Sequence, residues 1–413
     1  MCPSHGGRSF TGGAQPHQQW CSTTPVALPG DGAHPHHRWS SRRPIFRIVL
    51  GARTFSQQGM FLLGGIIADY WGPRRSILTG CLIRALGYFG LALSEEFWPF
   101  LLSAVLTGIG GAFFSPAVEG LLGALDRTQK SEGPQRRSLF AWLVLFGEIG
   151  AVTGPLVGIA LLPFGFPVVA VSAACLFVAV GVVLWLLLPA GLPVSADQDD
   201  TPAAKAEPRE TWACLRDRRF LFFCLFFSVN LLAYNQLYFA LPLELNENGT
   251  GTGTLALLFV LASVLTIVFQ LPASALAVRV GPGVALRTGF ICLGLGFITV
   301  AVFGVTGIYA VPGIPVLTGP VAMVVLLSFG HMLIVPAGMQ QVHGFAGPRP
   351  LSAFYGLLAS FGGLAVLIGN TFVGTFRDTL GSSAGWMFLI LLTIAAAIFL
   401  PRFLPIHYQK ARP

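Results

Sequence analysis

Residues 64–75 read GGIIADYWGPRR. They fall where one long apolar run stops and another begins. An apolar run that ends in Asp, Gly and paired Arg reads as a membrane helix leaving the bilayer through a tight loop. Gly72 and Pro73 supply the turn. Arg74 and Arg75 hold that loop on the cytoplasmic side. Asp69 is the unusual residue, because a carboxylate at the mouth of an apolar helix is costly and usually has a role. The bland alternative is a charge that snorkels to the interface at a helix end.

The rest of the chain agrees with a membrane reading. It is 54% hydrophobic and 10% charged, against roughly 25% charge in soluble domains. Apolar runs of about 20 residues recur along its length, which predicts a polytopic, all-α integral membrane protein. The runs are continuous rather than alternating, which excludes a β-barrel. The seven cysteines (2, 21, 81, 175, 214, 224 and 292) contain no C-x-x-C pair, so neither a disulfide framework nor a metal site is expected. The net charge of +8 is concentrated in alternate loops, so it reads as topology and not as nucleic-acid binding. No Ser-His-Asp set, zinc-protease motif or phosphate loop is present, which argues against an enzyme.

The opening stretch resembles the loop signature between the second and third helices of the major facilitator superfamily, G-x-L-A-D-r-x-G-r-k/r. Gly65, Ala68, Asp69, Gly72, Arg74 and Arg75 match it. Tyr70 stands where the family usually has Arg. The resemblance implies two pseudo-symmetric helical bundles, with these residues forming a conformational latch. In the family the Asp meets the far bundle near its eleventh helix; here that contact is expected near Leu351–Tyr355, where a helix N-terminus favours a carboxylate.

Eleven spans are expected, near 46–69, 76–93, 97–122, 138–162, 166–189, 220–243, 253–278, 284–306, 317–341, 352–375 and 384–404. The family has twelve, and the one without a counterpart is its first. Bases cluster on the Arg74 side of this order. The opposite loops carry Glu95, Glu96, Glu244 and Glu247 with one base, Arg377, a positive-inside asymmetry. Residues 1–44 are rich in Pro, Gly, Ser and His, and Arg38, Arg42, Arg43 and Arg47 break the charge rule. The head is therefore expected to be disordered or a misassigned start; a His-rich metal tract is the alternative. The N-terminal bundle is placed at 45–190, a polar cytoplasmic linker at 191–219, the C-terminal bundle at 220–405 and a tail at 406–413. GGAFFSPA at 110–117 and GHMLIVPA at 330–337 suggest a weak internal repeat, as do GPLVG at 154–158 and GNTFVG at 369–374.

Residues 147–158 read GEIGAVTGPLVG. Gly150, Gly154 and Gly158 form a stripe on one helix face, where small residues let membrane helices approach. Pro155 can bend that helix. The stretch resembles the family's antiporter signature, g-x-x-x-G-P-x-x-G-G, with Ile159 in place of the last Gly; in the family it is tied to export. The bland reading is glycine packing alone.

Glu148 lies in the same span, roughly 160° from Gly150 at about 100° per residue, and is the candidate proton carrier. Its alternative is a structural ion pair with Arg53 or Arg84. Glu119 is the second carboxylate, expected to pair with one of those arginines. The family's helix-four Arg would fall at Ala104, so that relay does not transfer. Gln57, Gln58, Asn230, Tyr234, Asn235, Gln270, His331 and Asn370 are candidate cavity residues, able to hydrogen-bond a substrate without imposing charge. The 34 Phe, many of them facing lipid in this reading, suit a bulky hydrophobic or cationic solute.

The chain thus resembles bacterial multidrug-efflux drug:proton antiporters. That resemblance implies secondary active export of a small molecule, driven by the proton gradient with no cofactor, by a monomer in the cytoplasmic membrane. The alternatives are uptake of a sugar or organic anion, and an inactive remnant lacking one helix.

Overall fold

The computed structural model describes residues 49, 51–131, 138–188, 212–247, 252–306 and 318–405. The head, the tail and the linker ahead of Trp212 lie outside the described residues. Regular structure within them is helical. The first half holds α1 (51–59), α2 (Phe61–Trp71), α3 (Pro73–Leu93), α4 (Phe97–Ser131), α5 (Leu139–Leu161) and α6 (Phe166–Leu187). The second holds α7 (Arg218–Asn235), α8 (Ala240–Glu247), α9 (Thr252–Val280), α10 (Pro282–Thr306), α11 (Thr318–Ala346), α12 (Ser352–Leu380) and α13 (Ser382–Phe399).

Among the described residues ten segments are long and apolar enough to cross a membrane, and Phe61–Trp71 is a shorter apolar helix. Most expected spans agree with these to within a few residues. Two are interrupted. The first is broken at Met60, between α1 and α2. Ser360 of α12 supports the break: its Oγ accepts from Leu62 N at 3.1 Å and donates to the Gln58 carbonyl at 3.4 Å. A backbone group that leaves the helical ladder in lipid needs such a partner. The second break, at 236–239, separates α7 from α8. The second half also begins earlier than expected. Trp212–Leu215 is a 3₁₀ turn with Cys214 buried, and Asp217 caps α7 by accepting from Arg219 N and Phe220 N.

Gly72 and Gly281 take positive φ of 89° and 83°. Each is followed by a proline that opens the next helix, which is the arrangement a tight interhelical loop favours. The same interval that separates these two glycines separates Gly80 from Gly289. A Cβ on Gly110 would stand 2.8 Å from the Gly80 carbonyl, and one on Gly330 would stand 2.7 Å from the Gly289 carbonyl. The α3–α4 and α10–α11 pairs therefore make one backbone contact twice, and the repeat expected at Gly110 and Gly330 is structural.

The phenylalanines of 220–227 do not chiefly face lipid. Phe220 and Phe223 are fully buried and stack at 6.3 Å, and Phe220 packs on Phe345 and Phe354 at 5.2 and 5.0 Å. They form the core of the second half, because α7 lies inside it against α11, α12 and α13. Arg377, Glu244 and Glu247 are likewise not loop residues. Helices α8 and α12 extend beyond the expected spans, and Arg377 bonds Glu244 Oε2 and Glu247 Oε1 at 2.9 Å each. Trp386 Nε1 donates to the same Glu244 oxygen at 3.1 Å.

Candidate functional site between the two halves

The halves meet first at the end that carries Asp69, Arg74 and Arg75. Asp69, 4% exposed, accepts from Ser352 N at 2.9 Å through Oδ1 and from Ala353 N at 2.8 Å through Oδ2. These are the unsatisfied N–H groups of the first turn of α12, and a carboxylate there is favoured by hydrogen bonding and by the helix dipole. The glycines make the approach possible. A Cβ on Gly65 would run into the Ser352 carbonyl, one on Gly120 into Ser352 Oγ, and one on Gly356 into the Phe61 carbonyl. Arg74 takes no part in this contact; its Nη2 donates to the Trp185 carbonyl of α6 at 2.7 Å. Arg75 and Tyr70 are exposed. Beside the seam, Leu139 N donates to Asp126 Oδ1 at 3.3 Å, Asp126 faces His343 at 3.9 Å, and the Phe140 ring packs on Tyr355 at 5.5 Å.

Asp69→Asn removes the charge and leaves only one acceptor oxygen for two donors. Loss of a cap with its charge–dipole part costs about 1–2 kcal/mol, which should move the equilibrium on the order of 5–30-fold toward a cytoplasm-open form. A cysteine pair across the α2–α12 contact should cross-link less in the mutant; unchanged cross-linking would remove the latch reading.

Further into the membrane, Glu148 reaches the other half. Its Oε1 accepts from Ser263 Oγ of α9 at 2.6 Å. The expected alternative, an ion pair with Arg53 or Arg84, is not formed. The ion pairs among the described residues are Arg377 with Glu244 and Glu247, and His343 with Asp126. Glu119 is likewise in none of them. Arg84 instead lies over the Phe114 and Phe177 rings at 5.8 and 5.1 Å, held by their quadrupoles. It also approaches Gln57: a Cβ on Gly111 would stand 2.5 Å from Arg84 Nη2 and 3.0 Å from Gln57 Cδ. Gln58 turns the other way, toward Gly363 of α12.

The second half carries two polar groups, the first of them close to Glu148. Tyr234, which reaches Thr266, lies within electrostatic range of Glu148, as does Tyr238. Tyr234 stacks on His331 at 4.1 Å, and His331 Nδ1 lies 3.3 Å from Asn230 Oδ1. Ser263, Thr266 and Gln270 share one face of α9 at helical spacing. Gln270 is fully buried, with neither amide atom bonded among the described residues. The second group sits at the α7–α8 break. Asn370 Nδ2 donates to Asn235 Oδ1 at 2.8 Å, and Gln236 Nε2 donates to Asn370 Oδ1 at 2.9 Å. Interrupted membrane helices concentrate polar groups in this way. Gln236 stands in the same polar run as Asn230, Tyr234 and Asn235, which the sequence already marks; Ser263 was not among the residues singled out from sequence, and a polar break in an otherwise apolar run was the available signal.

The glycine stripe of α5 makes no close approach among the described residues. A Cβ on Gly150, Gly154 or Gly158 would meet nothing within 4 Å. Helix α5 reaches α9 through Glu148 and Ser263, while Gly150 and Gly154 are exposed and Gly158 is half-buried.

The fold and these contacts define a membrane protein of two related helical halves, joined at one end by the Asp69 contact and further along by the contact of Glu148 with Ser263. The chain belongs to the Major Facilitator Superfamily, which it matches over residues 43–370. A transporter of Mycobacterium tuberculosis (strain ATCC 25618 / H37Rv), the uncharacterized MFS-type transporter Rv0849, is 31% identical over 369 residues, covering 86% of this chain and 83% of that one. Multidrug resistance protein MdtH of Cronobacter sakazakii (strain ATCC BAA-894) is 34% identical over 226 residues, 54% of this chain and 53% of its own. The human organic anion transporter MFSD10 (TETRAN) superposes with a TM-score of 0.66 at 19% identity, covering 86% of this chain and 83% of that one. The proton:xylose symporter XylE superposes with a TM-score of 0.63 at 13% identity, covering 90% and 88%. These two likenesses establish the fold.

Proposed function

We propose that this transporter exports lipophilic or cationic small molecules in exchange for protons, as a monomer in the bacterial cytoplasmic membrane. The observation that carries the reading is Glu148, a carboxylate within a span that bonds a neutral hydroxyl of the opposite half. A carboxylate so placed can gain or lose a proton as access changes sides, and its contact with α9 ties that change to the relation between the halves. The aromatic and amide surroundings of Tyr234, His331, Asn230, Gln270, Asn235 and Asn370, with Gln57 and Gln58, suit a solute held by stacking and hydrogen bonds. The likeness to a multidrug resistance protein over about half of each chain supports the same class. Asp69 then serves as the cytoplasmic latch, and the proton gradient is the only energy source required.

The test is transport in inverted vesicles carrying the protein, with an imposed pH gradient and a panel of lipophilic cationic dyes. Dye should accumulate when the lumen is acidic and leak out when a protonophore collapses the gradient. Accumulation of a labelled organic anion or sugar, with no dye transport, would replace the reading with the uptake class.

A further inference from the structure

A trough of about 390 Å³ opens toward lipid between α10 and α13. Its walls are apolar: Ile291 and Leu295 on α10 face Ile394 and Ile398 on α13, all well exposed, over a floor that includes buried Phe290. The two polar side chains of its lining are both cationic. Arg287 comes from the first turns of α10, and Arg402 from the 3₁₀ turn Leu400–Phe403 that follows α13. Among the described residues no carboxylate lines it.

The dimensions are those of one leaflet. From Arg287 to Ile298 along α10 is about 16 Å at ~1.5 Å per residue, half of the ~30 Å hydrocarbon core. Helix α10 starts, and α13 ends, on the basic side of the protein, so the trough lies in the cytoplasmic leaflet with both arginines at its headgroup end. The related half is built differently. There Tyr88 and Phe177 stack at 5.6 Å in the seam between α3 and α6. Between α10 and α13, Gly294 stands against Thr393, where a Cβ would lie 2.9 Å from Oγ1.

One exposed arginine at a cytoplasmic helix end is ordinary and snorkels to the interface. Two arginines from helices far apart in sequence, converging on the same end of one acyl-sized trough, are a charge pattern that matches a phosphate above a hydrocarbon chain. We infer that the α10–α13 trough is a binding site for an anionic phospholipid of the cytoplasmic leaflet. One acyl chain lies along Ile291, Leu295, Ile394 and Ile398, and the phosphate is held by Arg287 and Arg402. The Phe399 ring, 5.3 Å beneath the Arg402 guanidinium, orients that arginine from one side.

The test uses the full chain purified from vesicles of equal phosphatidylglycerol and phosphatidylcholine content, with retained lipid counted by native mass spectrometry. The parent should retain phosphatidylglycerol in preference, about fivefold for each arginine and so on the order of 25-fold in all. Arg287→Gln with Arg402→Gln should abolish the preference, and Lys at both positions should keep it. Ile291→Trp, which fills the trough from its exposed rim, should lower retention of both lipids. Equal retention by the parent would overturn the inference, as would a preference untouched by the double Gln change. Displacement of the lipid by inorganic phosphate alone would overturn the acyl contact, and a protein–protein cross-link across the trough would assign it to a second copy instead.

Discussion

Glu148→Gln is expected to abolish gradient-driven dye accumulation in inverted vesicles while leaving the folded protein intact. The amide oxygen of Gln can accept from Ser263 Oγ as Glu148 does at 2.6 Å, so the contact between α5 and α9 survives and only the titration is lost. Proton exchange then has no carrier at this position. Downhill binding of neutral dyes should persist. If Glu148 were a structural ion-pair partner, neutralising it would instead lower the folded yield, and neutralising an arginine as well would restore it. A Glu148→Gln protein that still accumulates dye against a gradient removes Glu148 as the carrier and moves attention to Glu119.

Arg377→Met should be the most destabilising single change on the outer side. The side chain of Glu244 is 4% exposed and that of Arg377 5%, so removing the cation leaves a buried carboxylate without its charge partner, while Trp386 Nε1 still donates to it. Breaking a buried pair from one side costs about 3–5 kcal/mol. Thermal unfolding in detergent should fall well below the parent, and Glu244→Gln in the same background should restore part of the loss. Glu247, whose side chain is 58% exposed, should matter little when replaced, because exposed pairs are worth about 0–1 kcal/mol. An Arg377→Met protein that melts with the parent would show the cluster to be dispensable.

Much of the fold was legible because its signals are local. Runs of apolar residues, Gly-Pro turns and one-sided positive charge need no knowledge of tertiary packing. The placing of Asp69 near Leu351–Tyr355 came from a motif and from the chemistry of helix N-termini, and the two hydrogen bonds are there. The partner of Glu148 was not legible. Ser263 is one hydroxyl in an apolar helix, and choosing it over Arg53 or Arg84 requires the register between halves. The Arg377 cluster was hidden for a different reason. Hydropathy ends a span where charge begins, yet α8 and α12 continue through Glu244 and Arg377 because the charges neutralise one another inside the protein. The glycine stripe is a different case: periodicity identifies a face that could be approached, and no helix among the described residues comes near it.

The paired backbone contacts, Gly80 with Gly110 and Gly289 with Gly330, have a mechanical consequence. Where main chain faces main chain, no rotamer can change to absorb a small displacement, and sliding by a turn would drive a side chain into the opposing carbonyl. Each of these two helix pairs is therefore stiff. Work done at the centre by a proton or a solute cannot be dissipated as local rearrangement within a half. It is delivered instead to the joint between the halves, so the lever arms of the proposed transport cycle are set by four residues that have no side chains.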